Sequence, residues 1–215
     1  DRPDDPLAEL QRQNRELLAA LSDLRTRQDE LVRVNRELDD TNRPHKLYRL
    51  RLGAASADLV FNEPDGRFCL HCYRSSSEKQ LILGLDSKTT SEAWVLDADH
   101  PEHAFVCMAP RVAGHEYSID HGKVDGVWSW LIRSNQDGIN FALYQASQTA
   151  TGVPARSDWQ VLIPHSDTVM LEGLSLNASA LTLSLREGGL PIIEVRPQGM
   201  PAYRVQLPDA AYSLY

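Results

Sequence analysis

The chain has 215 residues, of which 42% are hydrophobic and 24% are charged, so it can form one large globular domain or two small ones. Its formal net charge of −8 disfavours nucleic acid or an anionic membrane as the main partner, because phosphate binding requires a basic patch. No apolar run approaches the roughly twenty residues of a membrane span.

The first predicted element is a long helix from Leu7 to Arg43, a stretch without Gly or Pro. Leucines and amide residues recur in it with seven-residue spacing, which is typical of a coiled coil. The predicted seam consists of Leu10, Asn14, Leu17, Leu21, Leu24, Leu31, Asn35 and Leu38. Because one helix cannot bury this seam alone, the pattern predicts a homodimer formed through the N-terminal helix. The alternative is a helix that packs against its own domain.

Residues 9–43 also resemble the signalling helices that precede the catalytic cores of bacterial sensor histidine kinases. This resemblance implies a helix that pairs and relays conformation. The phospho-acceptor histidine motif and the ATP-binding boxes of a kinase do not accompany it, so kinase activity is not expected.

A change of period follows Pro44, which disfavours helical geometry in the residue before it. From there apolar and polar residues alternate with period two, which is typical of strands. Three hairpins repeat the order strand, Arg, polar turn and strand, around Arg74, Arg133 and Arg186, at steps of about fifty to sixty residues. We therefore predict a mainly β fold: a coiled-coil helix over 1–43, and a partial β-propeller of about three four-stranded blades over 44–215.

The three repeated arginines are candidate blade clamps. Each is predicted at the end of a strand, where it is either simply solvated or paired with a carboxylate of a neighbouring blade. A third alternative is contact with a peptide substrate or with a peptidase domain. The carboxylates considered for the pairing are Glu92, Glu172 and Glu187.

No catalytic residue is predicted. Ser175 lies in a sequence that resembles a nucleophile elbow, but Asn177 replaces the second glycine, and the segment is predicted to be a strand. His115-Glu116 begins a zinc-protease-like pattern that lacks the second histidine. Ser118, Asp120 and His121 are triad residue types, but neighbours on one strand cannot adopt triad geometry.

The spacing C-x-x-C of Cys69 and Cys72 is found in metal and redox sites. Both cysteines are predicted on one strand, where residues three apart point to opposite faces. The pattern therefore favours buried free thiols in a reducing compartment, and with them a cytoplasmic protein. No metal and no cofactor are predicted.

Residues 43–215 resemble the second half of the β-propeller of oligopeptidase B, in the prolyl oligopeptidase family of serine peptidases. The segments that carry the resemblance are RPHKLYRLRLG (43–53), the RSSS turn after Tyr73, TTSEAWVLDA (89–98), HEYSIDH (115–121), RSNQDGINFALY (133–144) and WQVLIPHSDTVMLEG (159–173). In that family the propeller caps an α/β-hydrolase domain and admits short peptides to its buried site. The resemblance therefore implies a non-catalytic, substrate-gating segment.

Two other functions remain open from the sequence. The chain could belong to an active serine oligopeptidase that cleaves after basic residues and has its catalytic domain elsewhere. It could also be a signalling or scaffold chimera, in which the helix relays conformation. The partners expected from the sequence are a second copy of the chain, a peptidase catalytic domain and peptides.

Overall fold

The computed structural model describes residues 34–40, 42–148 and 152–206, and these residues form antiparallel strands with one short 3-10 helix, Arg156–Asp158. The strands within these ranges are β1 (Val34–Leu38), β2 (Pro44–Arg49), β3 (Asp58–Asn62), β4 (Cys69–Arg74), β5 (Gln80–Asp86), β6 (Ser91–Asp97), β7 (Val106–Ala109), β8 (Tyr117–Val124), β9 (Val127–Ser134), β10 (Ala142–Ser147), β11 (Gln160–Ile163), β12 (Val169–Leu176), β13 (Ala180–Glu187), β14 (Leu190–Pro197) and β15 (Tyr203–Arg204).

The strands form four sheets in which consecutive strands pair as neighbours. Sheet A contains β1–β3, sheet B β4–β7, sheet C β8–β11 and sheet D β12–β15. The predicted mainly β fold and its three four-stranded units are confirmed by sheets B, C and D. β3 is the outer strand of sheet A, and β7 is the outer strand of sheet B.

The prediction of a helix extending to Arg43 is wrong over Val34–Leu38, which is strand β1. β1 pairs antiparallel with β2, with Val34 opposite Arg49, and therefore the seam positions Asn35 and Leu38 lie in a sheet. Pairing along β2 outweighs the local helical preference of this segment, because tertiary context routinely overrides propensity. The remaining seam positions lie outside the described residues: Leu10, Asn14, Leu17, Leu21, Leu24 and Leu31. The long coiled-coil helix and the homodimer expected through it thus have no support from this structure, and the homodimer stays a prediction.

Three hydrophobic cores in the described residues each lie between two sheets that are consecutive in the chain. The core between sheets A and B contains Leu47, Leu70, Leu83 and Leu85. The core between sheets B and C contains Ile82, Val95, Trp130, Ile132 and Tyr144. The core between sheets C and D contains Leu131, Leu143, Leu171, Leu183 and Leu185.

The central strands of sheets B and C are apolar on both faces, which explains their uninterrupted hydrophobic runs. On β5, Ile82 faces sheet C while Leu83 faces sheet A. On β9, Ile132 faces sheet B while Leu131 faces sheet D. All four side chains are fully buried, so each of these sheets contributes to two cores at once.

The first strands of sheets C and D approach each other closely at Gly122. A Cβ atom on this residue would lie 2.4 Å from Cδ2 of Leu176, the last residue of β12. A larger residue at position 122 would therefore force the Leu176 side chain to move. The described ranges contain no helix with the length and hydropathy needed to cross a membrane.

Candidate functional site: the ties between sheets

Polar side chains connect the sheets at every junction, and at the junction of sheets A and B the central group is Arg111. This residue follows β7 and donates through Nη2 to the carboxylate of Glu63, which follows β3 and is only 2% exposed. Its Nε donates to Oε2 of Glu92, on β6, over 3.0 Å. Burial opposes the charge of Arg111, but the hydrogen bond and charges of the two glutamates outweigh it, so the pKa of Arg111 is raised.

Arg43 strengthens the same junction from the connection between β1 and β2. Its Nη1 donates to the backbone carbonyl of Phe68 over 2.8 Å and to that of Asp65 over 3.2 Å. Its Nε donates to Asp39 over 2.7 Å. The Phe68 ring lies 3.9 Å below the guanidinium of Arg111, so the two arginines hold the segment before β4 from both sides.

The junction of sheets B and C is made by the serine turn, which we define as Ser75–Ser77, between β4 and β5. The backbone N–H of Ser76 donates to Asp120 over 2.8 Å, and its hydroxyl donates to the other carboxylate oxygen over 2.5 Å. The backbone N–H of Ser77 donates to the carbonyl of His121 over 2.8 Å. The serine turn therefore covers one end of the open edge of β8 and bonds the backbone carbonyl of His121 there.

Ser77 and His121 form the closest approach of a hydroxyl and an imidazole at this junction, with 2.7 Å between Oγ and Nδ1. The His121 ring is completely buried beside Trp128 and Trp130, and this burial lowers its pKa. The neighbouring carboxylate of Asp120 bonds the serine turn and the backbone of His121. Catalysis by a triad needs the carboxylate to orient the imidazole, whereas Asp120 bonds the serine turn and a backbone N–H. Ser77, Asp120 and His121 therefore connect sheets B and C and do not form a catalytic triad.

A second set of buried bonds joins sheets B and C near Tyr117. The Ser91 hydroxyl donates to the Tyr117 carbonyl over 2.7 Å, and the Tyr117 hydroxyl donates to the Ala109 carbonyl over 2.7 Å. Burial raises the pKa of Tyr117. Close by, Nε2 of His115 lies 2.8 Å from the Ser134 hydroxyl, and burial lowers the pKa of His115 to about 4.

Arg133 lies at the junction of sheets C and D. Its Nε donates to the backbone carbonyl of Leu171, on β12, over 2.7 Å, and its guanidinium lies 3.4 Å from the centre of the Phe141 ring. Burial lowers the pKa of Arg133. Of the three candidate clamps, this arginine spans two sheets, although it does so through a carbonyl group and not through a carboxylate.

The other two candidate clamps occupy different environments. Arg186 donates to Glu172 over 2.6 Å, and both residues belong to sheet D, so the pair does not connect sheets. Arg74 ends β4 opposite Leu81. Glu92, considered as a partner for the clamps, instead accepts from Arg111, and Glu187 accepts from Arg204. Arg111 and Glu63 were not among the predicted residues, because neither lies in a repeated sequence pattern.

The serines and cysteines in sequences that resemble catalytic or metal-binding motifs lie on strands. Ser175 lies within β12 opposite Thr182, and a strand cannot present it as a nucleophile elbow does. Ser118 lies on β8 opposite Arg133. The prediction of a buried thiol is wrong for Cys69, which is exposed, whereas Cys72 packs against the core between sheets A and B. The two sulfurs face opposite sides of the sheet, as expected for residues three apart on a strand.

The family model for the prolyl oligopeptidase N-terminal β-propeller domain matches residues 25–214. Dipeptidyl aminopeptidase BI of Pseudoxanthomonas mexicana is 31% identical over 172 residues, which cover 79% of this chain and 22% of that protein. Protease 2 of Moraxella lacunata is 35% identical over 108 residues, covering 49% of this chain and 15% of that protein. The chain thus spans about a fifth of the length of these relatives.

Solved structures show the same fold. Oligopeptidase B from Trypanosoma brucei, in a closed form with bound antipain, aligns with a TM-score of 0.71 at 22% identity, over 81% of this chain and 25% of that one. Oligopeptidase B from Leishmania major aligns with a TM-score of 0.69 at 23% identity over the same shares. With four meander sheets in series and a family match over most of its length, the chain belongs to the prolyl oligopeptidase N-terminal β-propeller family.

Proposed function

We propose that this chain is a non-catalytic propeller segment of an oligopeptidase B-like serine peptidase, and that it restricts which substrates reach a hydrolase domain. The observation that carries the proposal is the series of sheets tied at each junction by buried polar groups. Such ties make adjacent sheets resist separation, which is what a barrier against large substrates requires. Arg111 and Arg133 are the central residues of these ties at two of the junctions.

Electrostatics supports the admission of cationic peptides. The net charge of −8 favours approach of positively charged substrates and disfavours acidic ones. A propeller segment with this charge suits a peptidase that cleaves after basic residues. The chemistry of bond cleavage would be supplied by the hydrolase domain, since the serine and histidine residues described above serve as structural ties.

The first test separates a gating segment from an active peptidase. The purified chain is incubated with a fluorogenic peptide that carries two basic residues before the scissile bond, with and without a serine-hydrolase inhibitor. We expect no turnover in either case. Turnover that the inhibitor abolishes would overturn the non-catalytic assignment.

The second test addresses gating directly. The hydrolase domain of a related oligopeptidase is assayed with and without this chain, using a short basic peptide and an unfolded long polypeptide as substrates. We expect the chain to suppress cleavage of the long polypeptide more strongly than cleavage of the peptide. Equal cleavage of both substrates with and without the chain would contradict the proposed barrier.

A further inference from the structure

The loop between β6 and β7 carries two histidines and a glutamate in the sequence His100-Pro101-Glu102-His103. Its backbone is fixed by hydrogen bonds within the loop. The N–H of His103 donates to the carbonyl of His100 over 3.0 Å, and the N–H of His100 donates to that of Asp97 over 3.1 Å. The loop therefore presents its three side chains from a defined turn.

The same loop is anchored to two other parts of the fold. The N–H of Ala98 donates to the carbonyl of Lys79 over 2.9 Å, next to the serine turn. Nη1 of Arg49, on β2 of sheet A, donates to the carbonyl of Pro101. These bonds hold the turn in place before any ligand arrives, which lowers the entropic cost of binding.

Three potential ligand atoms converge above this turn. Nδ1 of His100 lies 3.5 Å from Oε1 of Glu102, and Nε2 of His103 lies 3.6 Å from the same oxygen. All three atoms lie within 4.8 Å of one another. A tetrahedral zinc ion with bonds of about 2.1 Å places its ligands about 3.4 Å apart, so the two contacts to Glu102 already have the required spacing.

Because the side chains of His100 and His103 are exposed, their rings can reorient to bind an ion. The two imidazole rings are nearly parallel, with 14° between their planes, so their lone pairs do not yet point to one position. The side chains of His100 and His103 are 57% and 63% exposed, and either ring can turn without moving the backbone. A cavity of about 290 Å³, lined by both histidines and by Asp97, leaves room for water to complete the coordination.

The donor set selects the class of metal. Two imidazole nitrogens and one carboxylate oxygen suit zinc and related transition metals, whereas calcium and magnesium prefer oxygen ligands alone.

We propose that His100, Glu102 and His103 form a zinc-binding site, with water in the remaining position. An ion bound there would cross-link the β6–β7 loop to itself and stabilise the folded state according to its concentration and affinity.

The test is a calorimetric titration of the tag-free chain with zinc chloride, after treatment with a chelator. We expect one strong site per chain, and the variants His100→Ala and His103→Ala should weaken it by about tenfold or more, since even the loss of a supporting second-shell residue costs that much in known zinc sites. The matched control is His71→Ala, which removes another partly exposed histidine beside a carboxylate. This variant should bind zinc as tightly as the unmodified chain.

A second readout separates binding from a folding defect. Zinc should raise the thermal unfolding midpoint of the unmodified chain and of His71→Ala, but not that of Glu102→Gln. Far-ultraviolet circular dichroism should show the same strand content for all variants. The absence of a strong site in the unmodified chain, or retention of that site in His100→Ala or His103→Ala, would overturn the proposal.

Discussion

Replacing Arg111 by methionine tests whether the tie between sheets A and B stabilises the fold. Arg111 pairs with two carboxylates, and one of them, Glu63, is 2% exposed. Methionine retains much of the apolar stem but removes the charge and all donors. The substitution therefore leaves the buried carboxylate of Glu63 with the N–H of Asp65 as its remaining donor at this position, over 2.8 Å.

The expected cost follows from the burial of the pair. Removing one partner of a buried ion pair costs about 3–5 kcal/mol, because the other charge is left without compensation. The Arg111 side chain is 27% exposed, so water screens part of the interaction. We therefore expect the lower end of this range, about 3 kcal/mol of unfolding free energy. In the double variant with Glu63→Gln the cost should fall, because the more deeply buried of the two uncompensated carboxylates is gone, while Glu92 remains.

The measurement is equilibrium unfolding in urea, followed by the fluorescence of the four tryptophans. The control is Arg67→Met, which breaks the pair with Asp65 in the same region, where the arginine side chain is 79% exposed. This control should leave the unfolding midpoint unchanged. If Arg111→Met shifts the midpoint no more than Arg67→Met does, the reasoning from the buried charge of Glu63 is refuted.

Three further predictions concern the other junctions. Gly122→Ala should destabilise the fold by about 1–3 kcal/mol in urea unfolding, because the added Cβ would overlap Leu176. Arg133→Met should cost about 1–3 kcal/mol by the same measurement, because it leaves the carbonyl of Leu171 without its donor. For His115 the folded pKa, about 4, is below the ordinary value of 6.5, so the unfolded state binds the proton first. Its contribution to stability is complete above pH 6.5 and is lost as the pH falls towards 4, and His115→Gln should reduce this loss in urea midpoints measured across that range.

Each of these predictions has a matched control. Gly66→Ala adds a Cβ where no atom lies within 4 Å, so a loss as large as that of Gly122→Ala would contradict the packing argument. Arg186→Met breaks an exposed pair within sheet D and should cost less than Arg133→Met. His71→Gln removes a partly exposed imidazole, and an equal change in pH dependence for this variant would show that burial of His115 is not the cause.

The strands were predictable because apolar and polar residues alternate with period two after Pro44, and polar turns separate the apolar segments. The runs Leu81–Leu85 and Trp130–Ile132 are continuous, which indicates strands buried on both faces. The serine turn was also visible as a break between two strands. Its docking on β8 was not, because that contact joins residues 44 positions apart and depends on how sheets B and C pack.

Val34–Leu38 was wrongly predicted to be helical because the prediction used only the seven-residue spacing of this segment. Leu31 and Leu38 continue a seven-residue spacing, and this pattern predicts a helix as long as no competing partner is considered. β2 is such a partner, because it offers hydrogen bonds along its whole length to Val34–Leu38. In the same way Glu63 and Arg111 are 48 residues apart, and neither sequence position indicates the other.

Sheets B and C are apolar on both faces, and this has a consequence for how such a protein can gain further sheets by gene duplication. A sheet that packs leucine against one neighbouring sheet and isoleucine against the other has a similar apolar surface on each face. If the coding segment for one sheet were duplicated in tandem, the new sheet could pack against the apolar faces of the sheets next to it in the polypeptide. The addition of a sheet by duplication therefore requires few simultaneous substitutions, chiefly at the polar residues that connect adjacent sheets.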